Sequence, residues 1–168
     1  MSELIQKISS YHILNYLFSG VIFCIFTQKF THYIILQNNV FIDCFLCYFM
    51  GLCISRIGSL IVEPLLQKTK FIIFESYEDY IQASKKDEKI NILLETSNMF
   101  RTLTTMLIVF CFVKCYEIIA IKFCFDIIND IVASIILLGL ILLFLFAYKK
   151  QCNYITKRIK NQKEMDKK

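Results

Sequence analysis

The sequence predicts an all-α integral membrane protein, a four-helix bundle carrying a small helical cytoplasmic cap between the second and third spans. Three observations predict it. Hydrophobic residues make up 57% of the 168 and mean hydropathy is +0.55, above the roughly 45–50% apolar content of an ordinary soluble domain. Four windows, residues 13–30, 40–62, 102–121 and 131–148, come close to or exceed the about 20 residues needed to cross the hydrocarbon core. Their long apolar runs lack the two-residue alternation of a membrane-spanning strand. One membrane domain therefore covers residues 1–168, with 63–101 as a cytoplasmic segment and 149–168 as a basic tail.

The net charge of +5 is unevenly placed. Lys7, the group Lys68, Lys70, Lys85, Lys86, Lys89 and Arg101, and the tail hold most cations, while the connections 37–39 and 124–130 hold none. Positive charge stays on the cytoplasmic side of a membrane, so both termini and the middle segment are expected inside a bacterial inner membrane. The polar start lacks a small-residue cleavage pattern before the first span, which is expected to remain as an anchor.

Leu4, Ile5 and Ile8 share a helical face, so residues 1–10 are expected to lie along the inner membrane surface. The first span follows, with Asn15, Ser19, Gly20 and Thr27 as its small or polar members. The first three are expected to pack on Ser55 and Ser59, which lie at similar depth. In the second span Asp43, Cys47, Gly51, Ser55 and Ser59 recur every fourth residue, a ridge of small and polar side chains on one helical face. Small residues let helix backbones approach closely inside a membrane, so these five form the expected bundle interface. Pro64, the only proline, marks the expected end of this helix.

Beyond it, 71–74 (Phe-Ile-Ile-Phe) is a short apolar run whose periodicity does not decide between strand, surface helix and partner contact. Ser76, followed by Glu78 and Asp79, predicts a helix start with acids in the first turn. A break near 84–86 and a cap at Asp87 predict a second helix, which meets no Gly or Pro before Ile121. It is expected to enter the membrane as a stalk. The fourth span carries no charge and few small residues, which predicts a lipid-facing helix. The tail holds eight Lys or Arg against Glu164 and Asp166. It is expected to lie against anionic lipid, each cation contributing about 1 kcal/mol.

Two constellations stand out. Arg56 lies within the second span, where a cation costs about 2.5–3.5 kcal/mol unless it is paired or reaches water. It either snorkels to phosphate or pairs with Glu63 or Glu95, joining the cap to the bundle. In the outer half, Lys29, Asp43, Lys114 and Glu117, with His32 nearby, are expected to form a polar vestibule suited to an ion path or gate.

The other chemical signals are weak. Six of the eight cysteines, Cys24, Cys44, Cys47, Cys53, Cys111 and Cys115, fall within predicted spans, where a thiol behaves as a small hydrophobe. Cys44 and Cys47, at the outer start of the second span, resemble in placement the cysteine pair of four-span quinone-linked thiol oxidases. That resemblance implies disulfide relay, which needs a second outer pair, and the short outer loop offers only Cys124. His12 and His32 sit at opposite ends of one helix and cannot clamp a metal together. No phosphate loop, nucleophile elbow or HExxH is present. No enzyme activity, cofactor, metal or nucleic-acid partner is expected.

The stretches YHILNYLFSGVIF from Tyr11, GLCISRIGSLIVEPLL from Gly51 and ETSNMFRTL from Glu95 resemble a family of small bacterial four-span membrane proteins, some of them similar to membrane components of antiphage defence systems. The resemblance implies a membrane effector or the partner of a cytoplasmic protein and carries no catalytic assignment. The first expectation is a homo-oligomeric pore-forming or membrane-perturbing effector. One alternative is a non-conducting anchor for a cytoplasmic partner, docked through residues 71–80 and the stalk; the other is the quinone-linked thiol oxidase that the placement of Cys44 and Cys47 resembles.

Overall fold

The computed structural model describes the backbone of residues 2–87, 89–123 and 129–165 and the side chains of 11–84, 86–87, 89–121 and 135–157. Six α-helices follow one another: α1 (Ser2–Phe30), α2 (Val40–Ile57), α3 (Glu63–Lys68), α4 (Tyr77–Lys86), α5 (Lys89–Phe123) and α6 (Asn129–Met165), with a π-helical turn, Gly58–Val62, joining α2 to α3. Among the described residues there is no strand. Four stretches are long and apolar enough to cross a membrane: Tyr11–Phe30, Val40–Lys68, Lys89–Ile121 and Ile135–Lys157.

Residues 2–10 are continuous with the apolar stretch that follows: from Ser2 onward they are the opening turns of α1, because nothing between Leu4 and Tyr11 breaks a helix. The turn after α1 reverses the chain with Asn38 at φ 62°, a left-handed conformation that asparagine tolerates better than most residues. Asn39 then caps α2, its Oδ1 accepting from the backbone N–H groups of Phe41 at 3.1 Å and Ile42 at 3.4 Å.

α1 and α2 run antiparallel at backbone contact. A Cβ at Gly20 would collide with the carbonyl of Cys47, and one at Gly51 with the carbonyl of Tyr16. The two glycines therefore set the interhelical distance, as small residues do within membranes. The observed register corrects the expected one. Ser19 and Gly20 face Gly51 and Cys47, at least one turn from Ser55 and two from Ser59. The interior is completed by Phe23, Cys24, Cys47, Ile54 and, from α5, Met106. Thr27, Thr102 and Thr105 are also buried. Each donates its hydroxyl to a carbonyl one turn back, Phe23, Asn98 and Arg101 respectively, so a polar atom enters the core already satisfied.

Pro64 does not end the second span. The helix passes through the π turn into α3 and stops at Lys68, so the apolar stretch runs from Val40 to Lys68 rather than to residue 62. The chain turns out of the helix at Lys70, two residues beyond its last turn, at φ 57°. There the N–H groups of Phe71 and Lys70 donate to the carbonyls of Leu66 and Gln67, both at 3.0 Å, the paired bonds of a left-handed helix terminus.

Residues 71–76 have no regular structure. Ser76 caps α4, its Oγ accepting from Asp79 N at 3.2 Å, and Asp87 Oδ1 accepts from Lys89 N at 2.9 Å as α5 begins. α5 is unbroken over 35 residues, about 50 Å. Tyr80 on α4 donates to Asn91 on α5 at 3.0 Å, which holds the short helix against the long one. α6 stands apart from the three-helix body. None of its apolar window is buried, nothing lies within 4 Å of a Cβ built at Gly139, and the helix continues without interruption into the basic tail as far as Met165.

Candidate functional site

Two polar clusters occupy opposite ends of the bundle, and α5 contributes to both. One centres on Glu117. Its side chain is only 4% exposed, yet it is an anion on an apolar helix and needs partners. It has three. Lys114, one turn back on α5, donates at 2.6 Å; His32 supplies its backbone N–H at 2.6 Å and its Nδ1 at 2.9 Å. Lys114 also donates to the carbonyl of Phe30 at the end of α1. One carboxylate thus ties the end of α1 to α5. Nearby, burial holds the Tyr33 phenol above the ordinary tyrosine range, with Tyr116 and the Glu117 charge adding to the effect.

This cluster corrects the expected four-residue vestibule. Lys114, Glu117 and His32 meet, whereas Lys29 and Asp43 go elsewhere. Lys29 is exposed, its Nζ 5.9 Å from the Phe30 ring centroid, because its position on α1 turns away from α5. Asp43 accepts from the backbone N–H of Gln37 at 2.7 Å and ties down the α1–α2 turn.

The second cluster lies at the Arg101 end and follows from the proline. In the π turn, Glu63 N–H bonds to Gly58 O, five residues back. The next residue, Pro64, has no N–H. Ser59 O thus receives no bond from either of the two residues that would supply one. Lys150 of α6 fills the gap, donating to Ser59 O at 2.6 Å and to Ser59 Oγ at 2.8 Å, with Glu63 Oε1 at 3.7 Å. Arg101 of α5 donates to the other Glu63 oxygen through Nη1. Gly58 lets α5 close in, since a Cβ there would stand 2.6 Å from Thr105 Oγ1. Three helical segments therefore converge on one residue, Glu63.

The expected Arg56 pairing is corrected here as well. Arg101, not Arg56, takes Glu63, because the π turn rotates Glu63 toward α5. Arg56 is partly buried and forms no hydrogen bond or ion pair with a described residue. Glu95 contributes its main-chain carbonyl, which accepts from the Tyr11 hydroxyl. The tie between α1 and the lower part of α5 is therefore neutral rather than ionic.

Of the five ridge residues in the second span, Cys47, Gly51 and Ser55 are buried, and Asp43 and Ser59 are partly buried and engaged as described. Nothing in the sequence marks Lys150 as a member of the site: its place at the head of the tail points to lipid, and no sequence period links it to Ser59. Cys44 is exposed while Cys47 is buried, and Cys47 lies beside Cys24 of α1. The two cysteines of the proposed relay pair thus point into different surroundings, and Cys124 lies outside the described residues. Among the described residues no group of three His, Cys, Asp or Glu could hold a metal ion.

Between the clusters, Arg101 and Glu117 are 16 positions apart on α5, about 24 Å along the axis. The one charged residue between them is Lys114, which belongs to the Glu117 cluster. Comparison with known proteins returned no matching family model, no matching curated protein and no matching solved structure.

Proposed function

We propose that the chain is a multi-pass bacterial inner-membrane protein that assembles with copies of itself and acts as a pore-forming or membrane-perturbing effector, with both termini in the cytoplasm. The observation that carries this reading is α6. Its apolar window is uncovered, and it meets the rest of the molecule through few side chains: Phe144 stacked on Phe49 at 6.2 Å, Lys150 on Ser59 and Glu63, and Tyr154 against Tyr77 at 6.2 Å. A helix held so lightly can exchange its packing for contacts with another protomer.

The backbone contact between α1 and α2 and the buried side chains at their seam close that seam, and this reading puts the passage between protomers. The spacing of the two clusters fits the reading, since about 24 Å between charged levels approaches the roughly 30 Å of the hydrocarbon core. Reconstitution into vesicles loaded with a self-quenched dye is the test. Dye release that rises more steeply than linearly with protein per vesicle supports an oligomeric effector; tight vesicles containing folded, inserted protein contradict it.

A second reading, a non-conducting anchor for a cytoplasmic protein, is favoured by residues 71–74. Phe71 is 78% exposed and Ile73 83%, and the segment joins α3 to α4 without regular structure. Under that reading vesicles stay tight, and deletion of residues 71–80 abolishes partner binding.

A further inference from the structure

We propose that the Arg101 end of the bundle is a binding site for a phosphate group, built from Arg56, Arg101 and Lys150 around Glu63. The charge balance is uneven there. Arg101 and Lys150 share the one carboxylate of Glu63, and Arg56 has no ion-pair partner among the described residues, a formal excess of two positive charges; all four side chains are partly buried. Arg56 lies one turn before Ser59 on the same helix face, and Ser59 is the residue on which Lys150 is docked. Excess charge of one sign, partly removed from water, calls for a counterion.

The donors are divided in the same way. Lys150 is spent on Ser59 O, Ser59 Oγ and Glu63; it fixes α6 and supplies field. Arg101 uses Nη1 on Glu63, and its buried Nε has no partner. Arg56 has all of its donors to offer. A guanidinium presents a planar fork that matches two phosphate oxygens at once. Tyr154, 5.9 Å from Lys150 Nζ, and Tyr77 flank the cluster, as amphipathic rings do where apolar surface meets headgroups. At that level a bilayer presents phosphate in its phospholipid headgroups, and the aqueous phase presents it as the free ion.

The test uses the full chain in detergent, with native mass spectrometry and thermal unfolding as readouts. The probes are phosphatidic acid, phosphatidylcholine and inorganic phosphate, applied to wild type, Arg56→Gln and Arg56→Lys. Arg56 has no hydrogen-bond or ion-pair partner among the described residues, so its replacement should leave the helical circular dichroism signal intact. The site predicts that Arg56→Gln lowers retention of the phosphate ligand at least five-fold and removes its stabilising shift, and that Arg56→Lys recovers part of both. Retention of phosphatidic acid that millimolar phosphate does not displace identifies a lipid headgroup. Stabilisation by inorganic phosphate alone, lost in Arg56→Gln, identifies a soluble source. The lipid arm rests on the membrane reading and the inorganic arm does not, so failure of one is distinguishable from failure of the other. The basic tail attracts anionic lipid in both proteins, so equal retention and equal shifts in wild type and Arg56→Gln overturn the site.

Discussion

At the scale of single residues, the molecule is decided by groups that have no alternative. Gly20 and Gly51 are each pressed against a carbonyl of the opposing helix, and the main chain cannot give way without parting α1 from α2. Gly51→Leu should therefore cost at least the about 1–3 kcal/mol of an overpacked core, read as an earlier thermal transition in detergent, whereas Gly139→Leu, facing open space, should leave it unchanged. The Glu117 cluster makes a second contrast. Glu117→Ala leaves Lys114 and the His32 turn without their shared anion and should lower the thermal transition in detergent. Lys29→Ala, at an exposed position, should change stability by less than about 0.5 kcal/mol. Composition alone grouped Lys29 with Lys114 and Glu117, because all three lie at the same depth. Depth is legible in a sequence, but the direction around a helix axis is not until the neighbouring helix has been placed.

At the scale of elements, most boundaries follow from local chemistry. Asn39, Ser76 and Asp87 begin helices because their side chains fill donors that a helix start leaves open, and Asp87 opens a helix that then runs 35 residues. The proline misled for an instructive reason. Pro64 reads as a stop, yet the π turn before it lets the helix pass, transferring the cost to the carbonyl of Ser59, which a lysine from a distant helix then fills. Nothing near Pro64 in sequence announces Lys150. If that account is right, Lys150→Met should loosen α6 while leaving the three-helix body intact. In a cysteine-free background, disulfide formation between Phe49→Cys and Phe144→Cys should fall several-fold on adding Lys150→Met. Pro64→Ala, which restores an N–H for the Ser59 carbonyl, should weaken the same cross-link by removing the reason for the lysine to dock.

At the scale of the whole molecule, the all-helical architecture with four long apolar helices was readable from composition and run length, since a chain this apolar must hide its backbone hydrogen bonds within helices. The pairing of those helices was only partly readable. The small-residue ridge of the second span announced a close contact, and α1 supplies it about two turns from the expected register. The role of α5, which touches both polar clusters, needed the folded chain. Those clusters divide the bundle into charged ends and an apolar middle, and this division is the central claim about how the molecule sits in its surroundings. Single spin labels at the exposed α5 positions Phe100, Leu107, Phe112 and Ile119, in protein reconstituted into bilayers, test it most directly through their relative accessibility to oxygen and to a water-soluble nickel chelate. The account predicts that oxygen dominates at Leu107 and Phe112 and that the chelate dominates at Phe100 and Ile119. Equal chelate access at all four positions would contradict it.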